Sequence, residues 1–200
     1  MIEQLIEWLN SAGYWGVALL MALENIFPPI PSEIIMPLAG FIAARGDLHP
    51  AGVLAVATLG SVVGTLPWYY LGKAYGEERM YEFARNHGRW VTLQPEDLDK
   101  GMNGFRDHGP GIVIVGRLIP AIRTFISIPA GLVGMSLGRF VLYSAIGSLV
   151  WNTILGGAGY LLEDNYREVA KYVDPLAKVV LVTILLTYAY RVITFRPQKD

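Results

Sequence analysis

The sequence predicts an all-α integral membrane protein made of two inverted repeats. Each repeat is a re-entrant, broken-helix hairpin followed by a transmembrane helix. An amphipathic linker helix joins the repeats, and a C-terminal transmembrane helix ends the chain. Three observations predict this. Hydrophobic residues are 53% of the 200 and charged residues only 16%, against about 25% charged in soluble domains. Two uncharged runs, residues 50–72 and 140–162, are long enough to cross a bilayer, which takes roughly 20 apolar residues. Two other apolar stretches are interrupted by prolines and charges at matching places.

Composition also excludes several chemistries. Net charge is −1, which gives no sign of a nucleic-acid partner. There is no cysteine, so neither disulfides nor thiolate metal sites are expected. His49, His87 and His108 are scattered among polar residues, so no metal site and no cofactor is expected. The N-terminal "MIEQLIEWLN" has acids but no basic residue and does not read as a cleaved signal peptide.

The chain divides as one membrane domain, residues 1–200. The first repeat takes residues 1–72, with its hairpin at about 24–46 and its transmembrane helix at 50–72. Residues 8–23 are uncharged but lead straight into Glu24, and residues 34–44 are too short to cross. Residues 73–108 form the linker. Within it Met80, Phe83, Ala84 and His87 recur at helical spacing among charges, which suits a surface helix. Pro95-Glu96-Asp97 opens another helix, with acids in its first turn. The second repeat takes residues 109–162, with its hairpin at about 111–138 and its transmembrane helix at 140–162. Arg117, Pro120, Arg123 and Pro129 break the first of these segments. Such backbone survives at membrane depth only where protein or a wet cavity covers it. A last transmembrane helix at about 175–195 contains the apolar run 175–190, with Lys178 and Arg191 able to snorkel to the interface.

The repeat rests on spacing. "NIFPPIPSEIIMPLAGF" sets Pro28 and Pro37 nine residues apart, and "GRLIPAIRTFISIPAGL" does the same with Pro120 and Pro129. The second prolines lead to Gly40 and Gly131. With Pro31, these residues are the expected shapers of the hairpins. The helices that follow align Gly64, Trp68 and Gly76 with Gly147, Trp151 and Gly159. Interrupted segments at corresponding places in two halves point to a transporter binding site. Orientation follows from positive charge. With the middle loop and C-terminus cytoplasmic, ten Lys and Arg lie inside and four outside. That topology inverts one repeat relative to the other.

Four charges lie in the broken segments: Glu24, Glu33, Arg117 and Arg123. An ionised group at the bilayer centre costs at least about 2.5–3.5 kcal/mol and is a functional candidate. Two arginines supply planar forks for phosphate oxygens. A carboxyl in an apolar site takes up protons more readily, so Glu24 and Glu33 are candidates for proton coupling or substrate contact. The plainer alternative is that Glu–Arg pairs only hold the hairpins together. Pro67 is read equally as a kink or a packing residue, Asn152 as an interhelical hydrogen bond, and "GGAGY" as a close-packing stripe.

At "LENIFPPIPSEIIMPLAGFIAARG" and "GRLIPAIRTFISIPAGLVGMSLGRF" the chain resembles the DedA family of bacterial inner-membrane proteins, the VTT-domain superfamily. The likeness extends over nearly the whole chain, and the run Arg117-x-x-Pro120-x-x-Arg123 is its strongest part. The resemblance implies required roles for Glu24, Glu33, Arg117 and Arg123. Some members have Asp at the second acidic place, where Glu33 keeps the charge on a longer side chain. The resemblance implies a bacterial inner-membrane lipid transporter, not an enzyme. Its cargo would be undecaprenyl phosphate or, as in other members, a phospholipid such as phosphatidylethanolamine, with protons or sodium as coupling ion. A homo-oligomer is compatible with the sequence. Three other classes compete: a cation or proton antiporter, a lipid phosphatase, and a non-transporting scaffold.

Overall fold

Prolines, glycines and polar breaks cut the chain into helices. The computed structural model describes residues 2–27, 32–82, 85, 95–120 and 122–161. Among them are six helices and no strand: α1 (Ile2–Ile26), α2 (Ser32–Ala44), α3 (Pro50–Tyr75), α4 (Pro95–Arg117), α5 (Ser127–Leu132) and α6 (Leu137–Leu161). A further helical stretch, residues 77–82, follows α3 after Gly76. The predicted helix at 175–195, Pro28 and Pro31, and linker residues 83, 84 and 86–94, with Phe83, Ala84 and His87 of the expected surface helix, lie outside the described residues.

Local chemistry sets several boundaries. Pro50 starts α3, where a missing N–H costs nothing, and the His49 ring accepts from Ala51 N–H at 3.3 Å. Gly76, at φ +77°, ends it. Helix α1 extends beyond the run 8–23 and bends at Gly13, whose φ of +56° lies in the left-handed region that glycine tolerates. Helix α4 joins stretches that the sequence reading placed on either side of a linker boundary at 108. The polar 95–107 and the apolar 111–117 are two helical pieces that meet at a kink, where His108 leaves helical geometry just before Pro110. The expected helix start at Pro95 is present.

Helices α3 and α6 form the centre. A Cβ built on Gly156 would lie 3.9 Å from Leu54. Asn152 bonds Thr58, and Phe140 stacks on Tyr69 at 4.6 Å. As α3 advances its partner residue falls, so the two helices run antiparallel. Both are long and apolar enough to cross a membrane. They expose Leu59, Val63, Leu71, Leu142, Leu149 and Ile154, side chains suited to lipid contact.

The shorter helices dock at glycines. Helix α1 crosses α3 where Cβ atoms on Gly60 and Gly64 would strike the Ala18 and Ala22 carbonyls at 2.2 and 2.3 Å. Helix α4 meets α6 at Gly147, where the Ile114 carbonyl and Arg117 Cβ stand within 2.9 Å of such a Cβ. Helix α2 packs on α6, with Gly40 against the Gly156 carbonyl, and α5 packs on α3, with Gly131 against the Tyr69 carbonyl. Gly40 and Gly131 thus lie inside helices and permit close contact between them. Three apolar clusters among the described residues fill the rest, one around Val17, Met21, Met36 and Ile42, another around Tyr69, Val113, Ala130 and Phe140, and a small one of Leu98 and Met102.

Candidate functional site

Arg117 is the last residue of α4 and is only 2% exposed. Gly147 makes this possible, since any side chain there would collide with the Arg117 stem at 2.7 Å. The guanidinium Nη1 donates to Asn25 Oδ1 at 3.2 Å, and Nη2 donates to Ser127 Oγ and Ser144 Oγ, each at 3.3 Å. Its Nε has no protein partner. All three acceptors are neutral. Among the described residues no carboxylate meets this cation.

Arg123 is held differently. The chain leaves α4 through turns at residues 118–120 and 122–126, with Ile122 and Arg123 N–H both donating to the Ile119 carbonyl. Pro120 sits in this turn. The turn carries Arg123 to Glu24 in α1, and the two form an ion pair. Both are buried. Asn25 ties the charges together: its Nδ2 donates to Glu24 Oε2 at 2.8 Å while its Oδ1 accepts from Arg117. Trp68 of α3 donates its indole N–H to the Asn25 carbonyl at 3.0 Å and meets Phe125 edge-on. The cluster holds one carboxylate and two guanidinium groups, a net charge of +1.

Glu33 stands apart. It is half-buried at the start of α2, and its Oε2 accepts from the Ser32 hydroxyl at 3.4 Å. Ser32 in turn accepts from the Trp151 indole at 3.4 Å. Pro37 and Pro129 lie inside α2 and α5. Asn152 makes the interhelical hydrogen bond expected of it.

Sequence reasoning passed over Asn25, Ser127 and Ser144, and used Trp68 only to align the two repeats. Asn25 follows Glu24 directly, and Ser144 lies in an uncharged helix. A polar residue inside an otherwise apolar span was the available signal. No metal-ligating cluster occurs among the described residues.

These features define a helical membrane protein with a buried cationic site. The VTT domain model matches residues 30–161, and the chain belongs to this family, the DedA family. It is 37% identical to "Alkaline phosphatase-like protein" of Lactococcus lactis subsp. lactis (strain IL1403), over 98% of this chain and 92% of the relative. It is 33% identical to "Undecaprenyl phosphate transporter A" of Staphylococcus aureus (strain NCTC 8325 / PS 47), over 97% and 96%. It is 26% identical to "Protein DedA" of Escherichia coli (strain K12), over 90% and 84%. No solved structure matches the chain.

Proposed function

We propose that this protein carries an anionic lipid, undecaprenyl phosphate, between the leaflets of the bacterial cytoplasmic membrane, driven by the proton gradient. Arg117 carries the reading: it is a buried guanidinium surrounded by neutral oxygens. A charge taken out of water without a counter-ion is costly. A phosphate monoester supplies that counter-ion and fits the planar donor fork.

Arg123 supplies the coupling. Its counter-ion in the structure is Glu24. A phosphate held by Arg117 competes for Arg123 and displaces Glu24. A carboxylate left alone in an apolar setting takes up a proton. Lipid binding and proton uptake are then two sides of one exchange at Arg123, and release of the lipid restores the ion pair.

The two-repeat reading gives this exchange access from both leaflets. Its support is the matched packing. Asn25 and Arg117 stand at equivalent places, each with its Cβ under 3 Å from a Cβ built on the glycine of a central helix, Gly64 or Gly147, and they bond each other. The central helices are antiparallel, as inverted repeats require. Each short helix, α2 or α5, docks on the central helix of the other half. In this reading the re-entrant hairpins at about 24–46 and 111–138 meet near mid-membrane, and the site lies between them. The excess of Lys and Arg puts the middle loop and C-terminus in the cytoplasm.

The test uses purified protein in phospholipid vesicles with a fluorescent polyprenyl phosphate and a membrane-impermeant quencher. Wild type should move the probe between leaflets, and Arg117→Ala should not. Equal rates for the two proteins, or for protein-free vesicles, would overturn the reading. Release of inorganic phosphate from the probe would instead favour the chemistry named in the Lactococcus relative.

A further inference from the structure

Aligned by Gly64 with Gly147 and Gly76 with Gly159, the two halves agree at one pair of helix crossings and differ at the other. The agreeing pair is α1 on α3 and α4 on α6. A Cβ on Gly64 would meet the Ala22 carbonyl and Asn25 Cβ, and one on Gly147 the Ile114 carbonyl and Arg117 Cβ. Asn25 follows Ala22 by three residues, as Arg117 follows Ile114.

The differing pair is α2 on α6 and α5 on α3. On α6, Gly159 faces the Pro37 carbonyl, and Gly40 faces the Gly156 carbonyl. The counterpart of Gly159 on α3 is Gly76, but α5 does not sit there. It sits at Gly72, which faces the Ile128 carbonyl, while Gly131, the counterpart of Gly40, faces the Tyr69 carbonyl. Helix α5 therefore rests four residues short of its matched place, one turn or about 6 Å of helix. Among the described residues nothing lies within 4 Å of a Cβ on Gly76.

The two places are discrete. Helices touch backbone to backbone where a glycine removes the side chain, and Lys73, Ala74 and Tyr75 between the two glycines each carry one. Gly72 and Gly76 are four residues apart and share a face. The buried residues of α5 are Ser127, Ala130, Gly131 and Leu132, so only Leu132 is a large knob. Packed elements with two such arrangements step by a turn and do not deform continuously. Behind α5 the chain turns at Gly134, whose φ of +67° marks backbone that glycine holds without strain.

Two contacts tie α5 to the charge cluster. Ser127 accepts from Arg117, and the turn ahead of α5 carries Arg123, paired with Glu24. Ile126 N–H donates to the Ile122 carbonyl and Ala130 N–H to the Ile126 carbonyl, so turn and helix move together. We propose, on the two-repeat lipid-carrier reading above, that α5 is a two-position slide. It rests at Gly72 in this structure and steps one turn to Gly76. The step withdraws Arg123 and Ser127 from Glu24 and Arg117 and opens the cluster on the α4–α5 side. A phosphate that displaces Glu24 from Arg123 cuts one of the two ties, and so binds the stepped state better and shifts the population toward it.

The chain has no cysteine, so spin labels can be placed at Leu59→Cys and Ile122→Cys alone. Both side chains are exposed. Leu59 belongs to α3, and Ile122 moves with α5. Pulsed electron spin resonance on the full labelled chain in vesicles should show one distance without lipid. Adding a polyprenyl phosphate should bring in a second, longer by up to about 6 Å. Gly72→Leu, which fills the first place, and Glu24→Gln, which cuts one tie, should each populate the longer distance without lipid. Gly138→Leu, whose side chain meets nothing within 4 Å, should keep the short one. The short distance alone in all three cases, lipid and both variants, would overturn the slide. The longer distance in either variant but none with the polyprenyl phosphate would uphold the slide and overturn the lipid reading.

Discussion

Glu24 and Glu33 are nine residues apart in one proline-rich stretch, and they have unlike surroundings. Glu24 is buried, paired with Arg123 and bonded by Asn25. Glu33 is half-buried and touches a serine hydroxyl. The first carboxylate is fixed by charges from the other half of the chain. The second has no charged partner among the described residues. Two acids that look equivalent in sequence are therefore a locked group and an open one, and substitutions should separate them.

The largest effect is expected at the charge that lacks a counter-ion. Arg117→Ala should abolish probe movement in vesicles, a loss of at least a hundredfold. Arg117→Lys should fail to restore it, because an ammonium lacks the planar fork that reaches Asn25, Ser127 and Ser144 together. Full activity of the lysine variant would reduce the site to a simple positive charge.

Next in size is the broken pair. Glu24→Gln leaves Arg123 buried without its partner, and removing one member of a buried pair costs about 3–5 kcal/mol. Chemical unfolding in detergent should show this loss. The double variant Glu24→Gln/Arg123→Gln should recover much of it, and strictly additive losses would deny the pair.

Packing substitutions come third. Gly131→Leu would drive a side chain into the Tyr69 carbonyl, 2.1 Å from the Cβ position. Overpacking costs about 1–3 kcal/mol, and here backbone must move. The same substitution at Gly138, where nothing lies within 4 Å, should change the unfolding midpoint little.

The smallest stability effect is expected at Glu33. Glu33→Gln should alter stability by no more than about 0.5 kcal/mol, as for surface changes away from special features. It should selectively slow gradient-driven movement. A destabilisation matching that of Glu24→Gln would erase the contrast between the two acids.

Much of the fold was legible in the sequence. The uncharged runs 50–72 and 140–162 correspond to α3 and α6, because helices that face lipid must be apolar over their length. Charges in apolar segments pointed to Glu24, Arg117 and Arg123, since the cost of burying them demands a reason. Which acid pairs with which arginine was not legible, because the turns between α4 and α5 decide it. Nor were Asn25, Ser127 and Ser144. Small neutral polar residues occur singly in many spanning helices, and only the fold assembles these three around Arg117. The linker boundary placed at 108 coincides with the break in α4, where His108 leaves helical geometry two residues before Pro110.

Trp68 has a consequence outside the chemistry. Its indole N–H points at the Asn25 carbonyl and its ring abuts Phe125, so its emission should depend on whether the two arms of the site are together. The chain has five tryptophans. With the other four replaced by phenylalanine, the molecule would carry its own optical gauge of site opening, readable in real time without an attached dye.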